Sequence, residues 1–262
     1  MEQPCAVLGE ALLKQDLYIL TGSTRGLGLA LAQALLQTQH ALLCIARSES
    51  PELKRAAQAA GCELTHWTLD LAQCPASAEP LQQWLQQHAA QAASVSFIHN
   101  AGMIPTVAPL SQLPGAEIAQ ALRVNLEAPL QLSAAYLAAT AAWNVPRKLL
   151  FISSGLGRRP MASQTIYCAS KAGLDHAARC IALEQAHEHH GARVCSLAPG
   201  VIDTDLQIQL RNAPSADFPD RARFEQLQSQ GQLDSPASAA RKVLAYLARP
   251  DFGNEPVADV RS

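Results

Sequence analysis

The chain has 262 residues, of which 48% are hydrophobic and 16% charged, with a formal net charge of −2. That length suits one large α/β domain, and the composition is too apolar for a disordered chain. The near-neutral balance, without a block of lysine and arginine, argues against nucleic acid, and the longest apolar runs, such as 41–46 and 149–152, are far too short to span a membrane.

Short apolar runs alternate with longer Ala/Leu/Gln-rich stretches of helical periodicity. The runs at 17–20, 41–46, 63–69, 95–99, 149–153 and 193–197 predict six strands. Helices are expected at 27–37, from Pro51 onward, at 81–91, 117–142, 164–189 and 236–248. Pro51 stands where its missing N–H costs a helix little. Strict alternation of strand and helix implies a doubly wound parallel sheet of Rossmann type, with helices on both faces in three layers. No repeat or linker interrupts 1–262, so a single domain is expected. Residues 1–16 precede the first strand and do not read as a signal peptide. Residues 205–235, richer in Pro, Asp, Gln and Arg, read as an insertion that covers the substrate.

Seven cysteines (Cys5, Cys44, Cys62, Cys74, Cys168, Cys180 and Cys195) are odd in number and contain no C-x-x-C pair. They argue against a disulfide framework and for a reducing cytoplasm.

Thr21-Gly22-Ser23-Thr24-Arg25-Gly26-Leu27-Gly28 lies directly after the first strand and opens the first helix. Gly22 permits a tight turn, while Gly26 and Gly28 let backbone and helix N-terminus approach a pyrophosphate. Tyr167-Cys168-Ala169-Ser170-Lys171 puts a phenol and an ammonium on one helix face. Ser154 stands thirteen residues upstream of Tyr167, at the end of the fifth strand. Strand alternation turns the adjacent Ser153 to the other side.

Together these motifs resemble the short-chain dehydrogenase/reductase family, in its single-domain branch, over roughly residues 17–260. The resemblance implies a nicotinamide dinucleotide cofactor held by Gly22, Thr24, Arg25, Gly26, Leu27 and Gly28. At the end of the second strand stands Ala46, followed by Arg47, where NAD-preferring members carry an acid. Arg25 and Arg47 suit a 2′-phosphate, so NADP(H) is expected; the alternative is two solvated surface arginines. Asp70-Leu71 matches the acid that receives the adenine amine, and Asp70 can also cap the following helix. His99-Asn100-Ala101-Gly102 is similar to the family's N-N-A-G, with Asn100 bonding backbone around the adenosine ribose and His99, in place of the commoner asparagine, in the core or supporting the site from behind rather than catalytic. Pro199-Gly200-Val201-Ile202-Asp203-Thr204 resembles the turn whose Ile202 backbone and Thr204 hydroxyl bind the carboxamide.

Reduction of a carbonyl by hydride leaves an alkoxide, which needs a proton donor beside it. The resemblance assigns that task to Tyr167, with Lys171 also holding the nicotinamide ribose and Ser154 orienting the substrate oxygen. A free phenol has a pKa of about 10; a cation about 4 Å away, at an effective dielectric of about 20, would bring it down about three units. Asn125 completes the family's relay. Pro129, four residues on, has no N–H, so the Asn125 carbonyl should lose its helical partner and hold a water there; the alternative is a helix that tolerates a proline.

His187-Glu188-His189-His190 lacks metal-site spacing and sits near a helix C-terminus, which favours histidine, so no metal is expected. The stretches 153–155, 172–175 and 198–206 look most like the sepiapterin reductase and benzil reductase branch. That likeness implies an NADPH-dependent reductase of a small carbonyl, a vicinal diketone or pterin side chain, and a homodimer or homotetramer. Asp259 stands near the family's pterin-anchoring acid, or pairs at the domain edge. Leu206, Ile208, Leu210 and Phe224 are expected to wall the substrate pocket. The competing readings are an NADP(H)-binding sensor with little turnover and a structural or partner-binding protein.

Overall fold

The computed structural model describes residues 14–73 and 78–261. Seven parallel strands form one sheet: β1 (Gln15–Thr21), β2 (His40–Ala46), β3 (Glu63–Thr68), β4 (Ala92–His99), β5 (Arg147–Ile152), β6 (Arg193–Ala198) and β7 (Val257–Asp259). Their order is β3-β2-β1-β4-β5-β6-β7, so the winding reverses between β1 and β4. A crevice therefore opens at the carboxyl ends of those two strands, where open α/β sheets bind ligands. The seventh strand was not expected, because three residues are too short to register as an apolar run. β1 begins at Gln15, inside the segment read as a leading extension. The rest of that extension described here is Lys14 alone; Cys5 and Cys74 lie outside the described residues.

Both faces of the sheet are covered, and period-two alternation sorts its side chains between them. Leu43, Ile45, Phe97 and Phe151 belong to one buried cluster, while Leu42, Cys44, Ile98 and Leu150 belong to another. The first cluster is closed by α3 (Ala78–His88), α5 (Ala128–Thr140) and α6 (Thr165–Gln185); the second by α1 (Gly26–Ala34), α2 (Pro51–Ala60) and α9 (Pro236–Ala248). Each fully buried Leu or Phe contributes roughly 1.5–3 kcal/mol. Among the described residues no helix is long and apolar enough to cross a membrane.

The expected 117–142 helix is interrupted. α4 (Gly115–Leu122) passes through a π turn at Arg123–Glu127 before α5 begins, and the N–H of Ala128 reaches back to the carbonyl of Arg123. Pro129 is the cause: it cannot donate to the carbonyl four residues back, so the helix widens by one residue. Residues 205–235 are not loop alone but contain α7 (Asp205–Arg211) and α8 (Arg221–Ser229).

Candidate functional site

The glycine loop is built by close backbone packing. Gly22 takes φ +73°, and its N–H donates to the carbonyl of Ile45 at 2.8 Å. A Cβ on Gly28 would lie 1.8 Å from the Gly22 carbonyl oxygen, and one on Gly22 would lie 2.9 Å from Ala101 Cα. Asn100 braces this loop: its Nδ2 donates to the carbonyls of Thr21 and Gly22, each at 3.1 Å, while its N–H donates to Thr21 Oγ1 at 3.0 Å. The backbone that Asn100 bonds is therefore the loop itself, at the switch point between β1 and β4.

Behind the loop, α1 starts without a side-chain cap. Arg25 is extended there, and the first turn carries no acid; α2, by contrast, is capped by Ser50. The first-turn N–H groups of α1 thus have no capping side chain, which fits a pyrophosphate. Leu27 turns its side chain into the core, leaving its backbone for this role.

A cleft of about 530 Å³ separates the loop from the start of α2, lined by Thr24, Arg25, Ser48, Glu49, Glu52 and Arg55 among others. Arg55 escaped sequence reasoning because it lies inside α2, away from the strand end. Arg25 Nη1 meets Asp205 Oδ2 at 2.6 Å, so its guanidinium points across the crevice to α7. Arg47 is exposed just beyond β2. Asp70 accepts the N–H of Ala72 at 3.0 Å and so caps the single turn 71–73, the second of its two expected roles; Leu71 is buried.

At the chemical end, Tyr167 and Lys171 lie on the buried face of α6 and are 9% and 4% exposed. Lys171 Nζ donates to the Ile152 carbonyl at 2.7 Å and lies 5.6 Å from the centre of the Tyr167 ring. Ser154 caps the turn after β5 by accepting the N–H of Leu156 at 3.2 Å. Ser153 faces away, as alternation required, and donates to Asp175 Oδ1 at 2.6 Å. Asn125 is fully buried in the π turn; its Oδ1 accepts the N–H of Met103 and its Nδ2 donates to the Met103 carbonyl, both at 2.8 Å. Gly102 marks where these groups converge, since a Cβ there would lie 3.5 Å from Asn125 Oδ1 and 3.8 Å from Lys171 Nζ.

The electrostatics depart from expectation. Burial pushes the Tyr167 phenol up to about 12, with a hydrogen bond to Ser154 opposing it, instead of leaving it near neutrality. Burial also brings the Lys171 ammonium down to about 8, opposed by the charge of Asp175. Desolvation penalises the charged form of each group, and here it outweighs the Ser154 hydrogen bond to the phenol and the Asp175 charge beside the ammonium. Tyr167 is therefore a neutral phenol, a proton donor by protonation state.

On the outer side of Tyr167 an apolar cluster joins Ile104, Val107, Leu210, Phe218 and Phe224, with Leu206 packed against it. Leu206, Leu210 and Phe224, expected as walls of the substrate pocket, belong to this cluster, whereas Ile208 is 47% exposed. Ile104, Val107 and Phe218 went unnoticed because they come from loops without periodicity. Ile202 and Thr204 flank the glycine loop, where a Cβ on Gly26 would lie 3.3 Å from Thr204 Cγ2.

Other singled-out residues fall elsewhere. His99 is 3% exposed and stacks between Phe97 and Phe151. Ser133 donates to the Pro129 carbonyl at 2.6 Å, so the 2.9 Å contact of His99 Nε2 with Ser133 Oγ makes the histidine the donor. Burial brings its pKa down to about 3, and it stays neutral. His187, His189 and His190 follow the end of α6, and among the described residues no group of three His, Cys, Asp or Glu could hold a metal ion. Asp259 pairs with Arg261 through both oxygens, at 2.7 and 2.6 Å, the edge pairing of its two expected roles.

Residues 17–215 match the short chain dehydrogenase family. This chain belongs to that family. Among its relatives, a benzil reductase ((S)-benzoin forming) of Bacillus cereus is 29% identical over 235 residues, covering 89% of this chain and 94% of the relative. A sepiapterin reductase of Rattus norvegicus is 32% identical over 251 residues, covering 89% and 92%. A crystal structure of a short-chain dehydrogenase/reductase from Burkholderia vietnamiensis is 36% identical, covers 95% of this chain and 98% of its own, and superposes with a TM-score of 0.63. The family is one of oxidoreductases acting through a nicotinamide cofactor, and the short-chain dehydrogenase fold described above is the one it shares.

Proposed function

We propose that this protein is an NADPH-dependent reductase of small vicinal dicarbonyls, a diketone or pterin side chain, acting from a single domain. The observation that carries the reading is the buried pair on α6: a neutral Tyr167 phenol facing an apolar cluster, with Lys171 behind it on the Ile152 carbonyl. The dinucleotide, when bound, supplies the hydride. Tyr167 delivers the proton to the oxygen that becomes charged, and Ser154 orients that oxygen. Lys171 presents its ammonium to the ribose and the phenol, and Asn125 holds the Met103 backbone in place beside it. Gly22, Thr24, Arg25, Gly26, Leu27, Gly28, Asp70, Leu71 and Asn100 form the adenosine and pyrophosphate side, and Ile202 and Thr204 the carboxamide side. The segment 205–235 closes over the substrate.

The preference for NADPH rests on Arg47 at the β2 end, joined by Arg55 in the adjoining cleft. The substrate class rests on the aromatic and aliphatic wall beside Tyr167 and on the names of the two relatives. A homodimer or homotetramer is supported by Leu130 on α5 and Leu183 on α6, which are 36% and 69% exposed. A reducing cytoplasm fits the unpaired Cys44, Cys62, Cys168, Cys180 and Cys195.

The test is loss of NADPH absorbance by the purified protein with benzil, a second vicinal diketone, sepiapterin and a simple aldehyde. Turnover of a dicarbonyl with NADPH and little with NADH is expected. NADPH binding without turnover of any of the four would select the sensor reading instead.

A further inference from the structure

The catalytic pair uses two buried groups of α6, yet the same face buries a third. Asp175 lies one turn beyond Lys171, which itself lies one turn beyond Tyr167, so the three side chains stack along one stripe. Asp175 is 2% exposed. Its Oδ1 accepts Ser153 Oγ at 2.6 Å, just past the end of β5, and Ser196 Oγ at 2.7 Å, within β6. Its Oδ2 accepts no hydrogen bond among the described residues and lies 3.7 Å from Arg158 Nε. A carboxylate taken out of water and given half of its acceptor capacity is costly unless another charge answers it.

We propose that Asp175 is a positioning residue of the reductase centre, tying α6 to β5 and β6 and holding the buried Lys171 ammonium in its charged form. This rests on the function proposed above. Through Ser153 the carboxylate sets the end of β5, and the next residue is Ser154; through the helix it sets the depth of Lys171. The turn after β5 touches both partners at Gly157, where a Cβ would lie 2.7 Å from Asp175 Oδ2 and 3.1 Å from the Lys171 carbonyl. One carboxylate thereby fixes Ser154 relative to Tyr167 and Lys171. The direction of the Lys171 shift agrees, since Asp175 opposes the effect of burial.

The charged and titratable groups around this stripe come from several elements. Tyr167 and Lys171 share α6. Arg158 follows the turn after β5, and its Nη2 also donates to the Ala258 carbonyl of β7 at 3.2 Å. Burial raises the Cys195 thiol on β6 and the Asp175 charge adds to it, while Arg261 first and Arg158 last lower the Asp259 carboxyl on β7. The π turn contributes the Asn125 amide.

Two opposite-signed variants test the proposal on the full chain. Asp175→Asn keeps an oxygen for Ser153 and Ser196 but removes the charge; Arg158→Gln removes the competing cation. The alkaline limb of kcat/KM for the dicarbonyl is expected to move down by about one pH unit or more in the first and upward in the second. At the acidic end of the profile, Asp175→Asn should keep its kcat within about threefold. A readout independent of turnover is the NMR titration of the ¹³Cε-labelled lysines, with the Lys171 signal assigned by Lys171→Arg. Its midpoint should shift with the same two signs. Ser196→Ala, which keeps the carboxylate, should lower kcat and leave both midpoints in place. Midpoints unmoved in Arg158→Gln overturn the proposal, even if Asp175→Asn fails to fold. A uniform loss of activity at every pH in Asp175→Asn, with an unchanged Lys171 midpoint, assigns Asp175 to scaffolding and overturns it too. If the wild type turns over none of the four carbonyls, the reductase reading fails; the NMR midpoints still decide whether Asp175 holds the Lys171 charge.

Discussion

Ser153 and Ser154 are chain neighbours that serve opposite sides of β5: the first donates to buried Asp175, the second caps the turn beside Tyr167. Their substitutions should therefore separate. Ser154→Ala is expected to lower kcat by about 10²–10³, the usual effect of losing one donor to a developing oxyanion. Ser153→Ala should instead lower stability by about 1 kcal/mol, read by chemical denaturation, with a smaller effect on kcat.

Tyr167→Phe keeps the ring in its apolar cluster and removes only the hydroxyl, with its proton and its hydrogen bond to Ser154. Turnover should fall by about 10²–10⁴, the contribution typical of a positioned acid. NADPH affinity, followed by fluorescence titration, should stay close to wild type. Substantial residual turnover would mean that the proton comes from elsewhere.

Arg47→Asp places a carboxylate where the 2′-phosphate is proposed to sit. NADPH should lose about tenfold or more in KM while NADH loses little or improves, because the repulsion acts on the extra phosphate alone. An unchanged ratio of the two KM values would move the assignment to Arg55 or Arg25.

The pH dependence follows from the two buried groups. Lys171 is charged below about 8 and neutral above it, whereas Tyr167 remains a phenol to about 12. The reduction rate should thus hold on the acidic side and decline as pH rises through about 8, measured as kcat/KM from pH 6 to 10. A limb set by the phenol alone would instead fall far higher on the alkaline side.

Gly157→Ala forces a methyl against Asp175 and the α6 backbone, at 2.7 and 3.1 Å. The expected cost is about 1–3 kcal/mol, seen in the denaturation midpoint, together with a lower kcat. Gly115→Ala, with nothing near its added Cβ, is the control and should leave both quantities within error.

Much of this architecture is legible in the chain because it rests on local rules. The six longer strands are apolar runs, the Tyr167–Lys171 spacing is a helical period, and Pro129 announces its break at the π turn. What escaped depends on contacts between distant segments. β7 pairs three residues with β6, and Arg25 meets Asp205 across 180 positions. Asp175 carries the same four-residue spacing from Lys171 that made Tyr167 conspicuous. It stayed silent because its serine partners belong to two other strands. The protonation of Tyr167 is not legible for a related reason: pairwise attraction can be read from spacing, but desolvation depends on everything packed around the ring.

The glycine loop carries one more consequence. Its missing side chains are filled by the loop's own backbone and by Ala101, so Gly22 and Gly28 are demanded by folding as much as by any dinucleotide. Selection that has stopped caring about chemistry would still preserve them. In a lineage drifting away from turnover, Tyr167 and Lys171 would erode first, and the loop would outlast them as a fossil of the ancestral activity.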